Sequence, residues 1–406
     1  MIDKARVSKG QVAGNNLAER SIQEDAYDPF TNRASTFLTS DFAVFMHLVK
    51  SAMGTDVLFL PHAFRRTGYA SSIVCGIGVG TLCVHTAVIV QCSQELCRRN
   101  HVPKLDFAET AQFSFQAGPE RIRKYGRLFG VVTNVIICSV HFQAAVDIHL
   151  VIEFFSSLEM NLRLYVVIFF PVTCALGFAP NLWYLAPFSV VGALFLFLGV
   201  YIALYYFLED TPDPRRLDAL TTVLPVPMYC AIIMFAFHNM TLYLPLTRNA
   251  CDTVIKNLPM EETLAQVVKV VVFLPVLFTL GLAYYVPISV LWPAIRSRVA
   301  AKSVAQQRFY ESLLRLCGVM GTTLSAIAVP QMVPLLGLFS ALGMSTIMLL
   351  ILILIETSTK WAEATRTMLA KNIAIFVVWL LILIFGTIES VWSIVREYGG
   401  TRQEEC

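Results

Sequence analysis

The sequence predicts an all-α polytopic membrane protein, and three observations lead to this fold class. The chain has 406 residues, of which 56% are hydrophobic and only 15% are charged, whereas about 25% of the residues of a soluble domain are charged. Its mean hydropathy of +0.64 leaves too few polar residues to cover a soluble fold. Apolar windows of about 20 residues, long enough for a helix to cross a bilayer, recur along the chain. Backbone groups in lipid must pair internally, so these long windows are predicted to be helices rather than barrel strands.

Composition and motifs exclude several other classes of protein. The net charge of +3 is too small to indicate a nucleic-acid partner, and no basic run with interleaved aromatic residues is present. Most of the ten cysteines lie inside apolar windows, where cysteine behaves as a small hydrophobic residue. The sequence has no phosphate-binding loop, nucleophile elbow or HExxH motif. We therefore predict neither an enzyme nor a bound metal or cofactor.

The apolar windows divide the chain into three predicted regions. Residues 1–41 are charged throughout and are predicted to be a disordered cytosolic tail, residues 42–395 a transmembrane domain, and residues 396–406 a short C-terminal tail. The ten windows are 42–64, 70–94, 128–154, 162–180, 183–208, 223–246, 263–293, 313–332, 334–356 and 372–395. The third window carries several polar residues, Asn134, His141, Gln143 and Asp147.

Polar residues interrupt two of these windows near the middle. The first window contains Gly54-Thr55-Asp56, and the sixth contains His238-Asn239. Interrupted hydrophobic segments in corresponding positions of two halves indicate the binding site of a secondary transporter. Windows one and six are five apart, as an inverted five-plus-five repeat requires. The alternative is that the glycine serves only the packing of a membrane helix.

Three blocks of the sequence carry a family resemblance. The first comprises Met46–Lys50, Gly54-Thr55 and Leu60–Phe64. The second comprises Phe235–Phe237 and Tyr243–Leu246, and the third comprises Asn257–Pro259, Val268-Lys269 and Tyr284–Pro287. These blocks resemble the first, sixth and eighth spans of the proton-coupled amino acid transporters, which belong to the amino acid/auxin permease superfamily. The resemblance implies a LeuT-type inverted-repeat fold of eleven spans, transport of small neutral amino acids with protons, and a location in the plasma membrane or in a lysosomal or endosomal membrane.

The breaks and the resemblance together place the candidate substrate site between windows one and six. Freed backbone groups at Gly54 and Thr55 would bind a substrate carboxylate, because the half-helix that follows presents its positive N-terminal end. Tyr284 matches an aromatic position of the family and would cap the pocket, with anchoring at the membrane interface as the alternative. The candidate substrate-binding residues are Ser51, Gly54, Thr55, Asp56, Phe237, His238, Asn239 and Tyr284.

Two ionisable residues in the breaks are predicted to form a pair. An acid such as Asp56 costs about 2.5–3.5 kcal/mol at mid-membrane depth, so it normally faces a cavity and has a partner. The resemblance implies an acid in span six, but this chain has its acid in the first window and His238 in the sixth. Asp56 and His238 are therefore predicted to take part in proton coupling, and the resemblance implies the same role for His47, which stands where the family also has a histidine. The alternatives are a structural pair, a neutral histidine bonded to a carbonyl, and an amine carrier in which Asp56 binds the substrate.

The spacing after the sixth window departs from the family, which has a whole seventh span where this chain has only Asn249–Lys256. Cytoplasmic loops carry an excess of Lys and Arg. The basic loop after window two is accordingly predicted to be cytosolic. If ten spans are counted from that loop, the basic loops after windows seven and nine fall outside the cell. If one span is restored after window six, both loops return to the cytosol. The chain is therefore predicted to have about ten spans instead of eleven. It is either a transporter with an altered second half or a transport-inactive truncated isoform or sensor. The basic loop after window two contains Arg98, Arg99, Lys104, Arg121, Arg123, Lys124 and Arg127.

Overall fold

The computed structural model describes only part of the chain. The described residues are 66–85, 88–141, 147–148, 162–178, 182–209, 219–221, 223–238, 263–328 and 332–398. Their regular structure is helical throughout and contains no strand, so the all-α prediction is confirmed for this part of the chain. The predicted tail 1–41, the whole of the first window and the gap at Asn249–Lys256 lie outside the described residues.

The helices follow the predicted windows closely. Those of the first half are α1 (Tyr69–His85), α2 (Val88–Asn100), α3 (Phe107–Ala117), the single turn α4 (Glu120–Arg123), α5 (Gly126–Val140), α6 (Leu162–Gly177) and α7 (Leu182–Glu209). Those of the second half are α8 (Val226–His238), α9 (Thr263–Val299), α10 (Val304–Ala328), α11 (Met332–Phe339), α12 (Leu352–Thr359), α13 (Arg366–Leu381) and α14 (Thr387–Tyr398). Two π-helical segments, Ser340–Met344 and Thr346–Ile351, lie between α11 and α12, and a third, Ile382–Gly386, joins α13 to α14.

Several helices have the length and apolar character that a membrane crossing needs. Four stretches of the described chain qualify, namely Tyr69–Asn100, Pro275–Val299, Val333–Thr359 and Arg366–Arg396. Shorter apolar helices cover Gly126–Val140, Arg163–Gly177 and Val190–Ile202. The prediction of a polytopic membrane protein is thereby confirmed, while the LeuT-type repeat and the number of spans stay predictions.

Contacts between helices divide the described residues into two compact units. The first unit is drawn from residues 86–133 and 351–372, and the second from 39–85, 134–350 and 373–406. In the first unit α2, α3 and α12 pack against one another. Cys92 and Leu96 of α2 and Ala111 of α3 are completely buried there. The ammonium of Lys371 donates to both carboxylate oxygens of Glu356 at 2.9 Å and so compensates a buried acid of α12.

The loop between α2 and α5 is built around the amphipathic helix α3. A capping box starts this helix, since the Asp106 carboxylate accepts from Glu109 N at 2.6 Å and the Glu109 carboxylate accepts from Asp106 N at 3.0 Å. Such a box satisfies backbone donors that a helix start leaves unpaired. The first turns of α5 then approach α3 closely, because Gly126 and Gly130 have no side chain to keep the two helices apart.

In the second unit α8 packs against α1 and against the π-helical segments Ser340–Met344 and Ile382–Gly386. The buried Tyr229 hydroxyl of α8 donates to the Ser72 carbonyl of α1 at 2.8 Å. A second group of contacts joins α7 to α9 and joins α6 to α9 and α10. The Arg315 guanidinium fixes the end of α6 by donating to the Gly177 carbonyl at 3.2 Å, while Glu311 holds the same guanidinium at 2.8 Å.

The close approach of α5 to α3 yields a first prediction. A Cβ at position 126 would lie 2.9 Å from the backbone oxygen of Gln112. The backbone would have to shift to make room, and such overpacking lowers the free energy of unfolding by about 1–3 kcal/mol. We expect Gly126→Ala to lower the thermal unfolding temperature of the purified protein in detergent. The matched control is Gly318→Ala, because a Cβ there meets no atom within 4 Å. Equal unfolding temperatures for the two variants would contradict this packing.

Candidate functional site

Most of the predicted site residues fall outside the described part of the chain. His47, Ser51, Gly54, Thr55 and Asp56 lie there, as does Asn239 of the sixth window. Phe237 and His238 end the helix α8, and their side chains are not among those described. The pairing of Asp56 with His238 therefore stays a prediction. Of the predicted substrate-binding residues, Tyr284 is the one whose side-chain surroundings are described.

Helix α8, which leads into the break of the sixth window, is deeply buried. Ile232, Ile233 and Met234 are almost completely buried. On another face, Gly337 of α11 approaches so closely that a Cβ would lie 2.8 Å from Met228 Cε. Two of the helical neighbours of α8 are π-helical segments, which occur often at functional sites. The part of α8 up to Met234 is thus held by a tightly packed scaffold.

An ion pair fixes the chain directly after the first window. The guanidinium of Arg66 donates to the carboxylate of Glu389 on α14 at 2.7 Å. The Arg66 carbonyl accepts a hydrogen bond from the Thr221 hydroxyl, just before α8. The ion pair ties the end of window one to α14, and the hydrogen bond ties it to the start of window six. They are therefore consistent with a site shared by the two windows.

A buried polar cluster surrounds Tyr284 of α9. Tyr284 is only 5% exposed, and a hydrogen bond of 3.1 Å joins its hydroxyl to Thr322 Oγ1 of α10. The carboxylate of Asp147, which is 2% exposed, is close enough to act electrostatically on this hydroxyl. Residues from the third, seventh and eighth predicted windows therefore meet in one place. Interface anchoring, the alternative for Tyr284, does not fit a tyrosine this deeply buried.

The sequence analysis did not select Asp147 as a site residue. An acid inside a membrane window is a functional-site hypothesis by default, because burying its charge in lipid is costly. The signal was therefore the same as the one that selected Asp56. Another polar residue of the third window, His141, bonds its ring Nδ1 to the Ile137 carbonyl at 2.7 Å, as a histidine satisfied within its own helix does.

Metal binding finds no support among the described side chains. No group of three His, Cys, Asp or Glu residues in that part of the chain is arranged to hold a metal ion. The chemistry available near Tyr284 is hydrogen bonding and proton exchange through a hydroxyl, a second hydroxyl and a carboxylate. This chemistry suits the binding of a small polar solute or a proton.

Comparisons with known proteins agree with these features. The transmembrane amino acid transporter protein family matches residues 39–249 and 212–392. The chain is also 28% identical over 431 residues to the Proton-coupled amino acid transporter-like protein pathetic of Drosophila melanogaster. That alignment covers 94% of this chain and 90% of the Drosophila protein.

The family match includes both interrupted windows and most of the apolar helices. It confirms the resemblance found in windows one, six and seven, and it confirms the prediction of a carrier rather than an enzyme. On these grounds the chain belongs to the transmembrane amino acid transporter family.

Proposed function

We propose that this chain carries small neutral amino acids across a membrane together with protons, using a site between windows one and six. The observation that carries the proposal is the family match, which covers both interrupted windows. Proton coupling is supported by the Drosophila relative, whose name describes a proton-coupled amino acid transporter-like protein. We place the protein in the plasma membrane or in a lysosomal or endosomal membrane.

The proposed substrate site uses the breaks as polar surfaces inside an apolar bundle. Gly54 and Thr55 would bind the substrate carboxylate with freed backbone groups. His238 would face Asp56 from the end of α8, a helix that packs against α1 and the π-helical segments. Ser51, Phe237 and Asn239 complete the proposed pocket, and Tyr284 would close it from α9. Carboxylate recognition by backbone amides suits any small neutral amino acid.

The cluster of Asp147, Tyr284 and Thr322 is a second proposed element of proton coupling. A carboxylate buried in a membrane is retained where it is paired or where it takes up and releases a proton. Asp147 lies near a tyrosine hydroxyl that is itself hydrogen-bonded to a threonine. We propose that protonation of Asp147 alters this hydrogen-bonded group and so links proton binding to the packing of α9 against α10.

Replacement of Asp147 by its neutral isostere tests this role. We expect Asp147→Asn to abolish most of the stimulation of alanine uptake by an imposed pH gradient in proteoliposomes, because asparagine cannot change its charge. The control is Glu389→Gln, which removes another buried acid but one held by Arg66. That control should lower the unfolding temperature and leave the pH dependence of uptake unchanged.

Two results would count against this part of the proposal. If Asp147→Asn transports with an unchanged pH dependence, the cluster around Tyr284 plays no part in coupling. If the unmodified chain shows no acid-stimulated uptake of any small neutral amino acid, the transport-inactive isoform or sensor becomes the better description.

The proposed pair in the breaks has its own test. We expect Asp56→Asn and His238→Gln each to reduce uptake, and the double variant to lose less than the sum of the two single effects. Residues in contact show coupling energies of about 0.5–3 kcal/mol in such cycles. Uptake rates and unfolding temperatures of all four proteins supply the cycle. Strictly additive effects on both quantities would exclude a direct pairing.

One contact in the first unit supports a proposal for the course of the chain through the membrane. Arg99, near the end of α2, donates from Nη1 to the carbonyl of Thr359, the last residue of α12, at 3.2 Å. Two helix ends in contact at a membrane surface lie on the same side of the membrane. An even number of crossings must therefore separate them. Seven predicted windows lie between them, which is an odd number.

The comparisons also support a chain with one membrane crossing fewer than the predicted windows and the family would give. The family matches in two pieces, and the first piece ends at Asn249, where the gap was predicted. The alignment with the Drosophila protein is 431 positions long but uses 94% of 406 residues, so about fifty positions have no counterpart in this chain. We propose that the chain between α7 and α9 enters and leaves the membrane on the same side.

Insertion of glycosylation acceptor loops tests this topology. We expect acceptors placed after His101, Lys302 and Ala364 to remain unmodified, because all three loops would be cytosolic. An acceptor placed at Leu220, before α8, serves as the positive control and should be modified. Glycosylation after Lys302 or Ala364 would show that the second half is inverted and would overturn the proposed course.

A further inference from the structure

A cavity of about 600 Å³ opens at the end of α2 in the first unit. Its position in the fold is defined by the turn that contains α4 and by the chain that follows α12. The cavity has the size of a typical small-molecule site. Its principal lining residues are Arg99, Glu120, Arg121, Arg123, Thr359 and Trp361.

Three guanidinium groups and one carboxylate give this cavity a positive charge. Arg99 is fixed by Glu95 at 2.8 Å and by the Thr359 carbonyl at 3.2 Å. Arg123 is fixed through Nε, which donates to the Gly118 carbonyl at 2.9 Å. Each guanidinium has five donors, so both retain N–H groups for a ligand. Arg121 makes no hydrogen bond or ion pair with any described residue.

The part of the cavity wall that contains Thr359 is closely packed. Thr359 is 3% exposed, and its hydroxyl lies within hydrogen-bonding reach of the buried Cys92 thiol of α2. Its carbonyl accepts from Arg99 Nη1 at 3.2 Å. This wall therefore holds the Arg99 guanidinium in place at the cavity.

The turn that carries Arg121 and Arg123 is firmly built. Gly118 N donates to the Phe115 carbonyl at 3.2 Å, and Ile122 N donates to the Pro119 carbonyl at 3.0 Å. A Cβ at Gly118 would lie 2.9 Å from Ile122 Cδ1, so the turn is closely packed. The arginines are thus presented by a preorganised loop, which lowers the entropy cost of binding.

The rim of the cavity carries an aromatic residue suited to a membrane surface. Trp361 is 53% exposed and follows the membrane helix that ends at Thr359. Exposed tryptophan is enriched at the level of lipid headgroups. Basic pockets on the cytosolic side of membrane proteins bind phosphorylated lipid headgroups. The Lys and Arg excess of the loop between α2 and α5 assigns this end of the first unit to the cytosolic side.

We propose that this cavity binds phosphate groups carried on a sugar-sized scaffold, either the headgroup of a phosphoinositide or a free inositol phosphate. Arg99 and Arg123 would contact the phosphate oxygens through fork-shaped pairs of donors. Arg121 would complete the charge. Glu120, the acid of the lining, would accept from a ring hydroxyl. The site is separate from the proposed transport site, since no residue is shared.

The test uses the full chain purified in detergent without anionic lipid. Binding of inositol trisphosphate, of dioctanoyl phosphatidylinositol bisphosphate and of dioctanoyl phosphatidylserine is measured by calorimetry and by the shift in unfolding temperature. The variant is Arg121→Gln, which removes no contact within the described structure. The matched control is Arg127→Gln, an exposed arginine of the same loop region that does not line the cavity.

We expect the bisphosphate lipid to bind more tightly than phosphatidylserine, and Arg121→Gln to weaken it about fivefold, as the loss of one basic contact predicts. Arg127→Gln should bind as the unmodified chain does. Binding of inositol trisphosphate as well would support recognition of the headgroup alone, and binding of the lipid alone would support a lipid source. Equal weakening by both variants would indicate diffuse surface charge and overturn the proposal, as would the absence of binding by either phosphate probe.

Discussion

The cost of placing polar groups and charges in lipid governs the structure of this chain. Backbone groups must pair internally, so the apolar windows become helices. Buried charged side chains need partners, and two buried acids illustrate this: Glu389 has Arg66, and Glu356 has Lys371. Asp147 is a third buried acid, and its charge acts on the Tyr284 hydroxyl. In such a medium a buried acid either stabilises a fixed contact or exchanges a proton.

Hydropathy and periodicity predict the helices well because each signal lies within one window. Helices α6 and α7 fall almost where the sequence places them, at Leu162–Gly177 and Leu182–Glu209. The π-helical segments were not predicted, since their hydrogen bonds shift by one residue without any change in composition. Tyr284 was found through a family resemblance, but its threonine partner belongs to another window. Contacts between windows depend on how the helices pack together. The sequence of one window alone does not determine that packing.

The basic cavity illustrates the same limit more sharply. Arg99 and Thr359 are 260 residues apart in sequence, yet they share a hydrogen bond. The positive charge of the loop after window two was evident from the sequence and was interpreted only as an orientation signal. Its second property, a preorganised set of arginines around a cavity, emerges once α12 packs against α2 and α3. Charge that sets topology during insertion is thus also available for binding after folding.

The contact between Arg99 and Thr359 also bears on the proposed loss of a span. If the chain has one crossing fewer than the family, everything after the missing span would normally be inverted, and inversion would separate these two helix ends by the thickness of the membrane. Their contact therefore favours the proposed local compensation between α7 and α9 over inversion of the second half. The helices after α8 would then keep the orientation that their basic loops require.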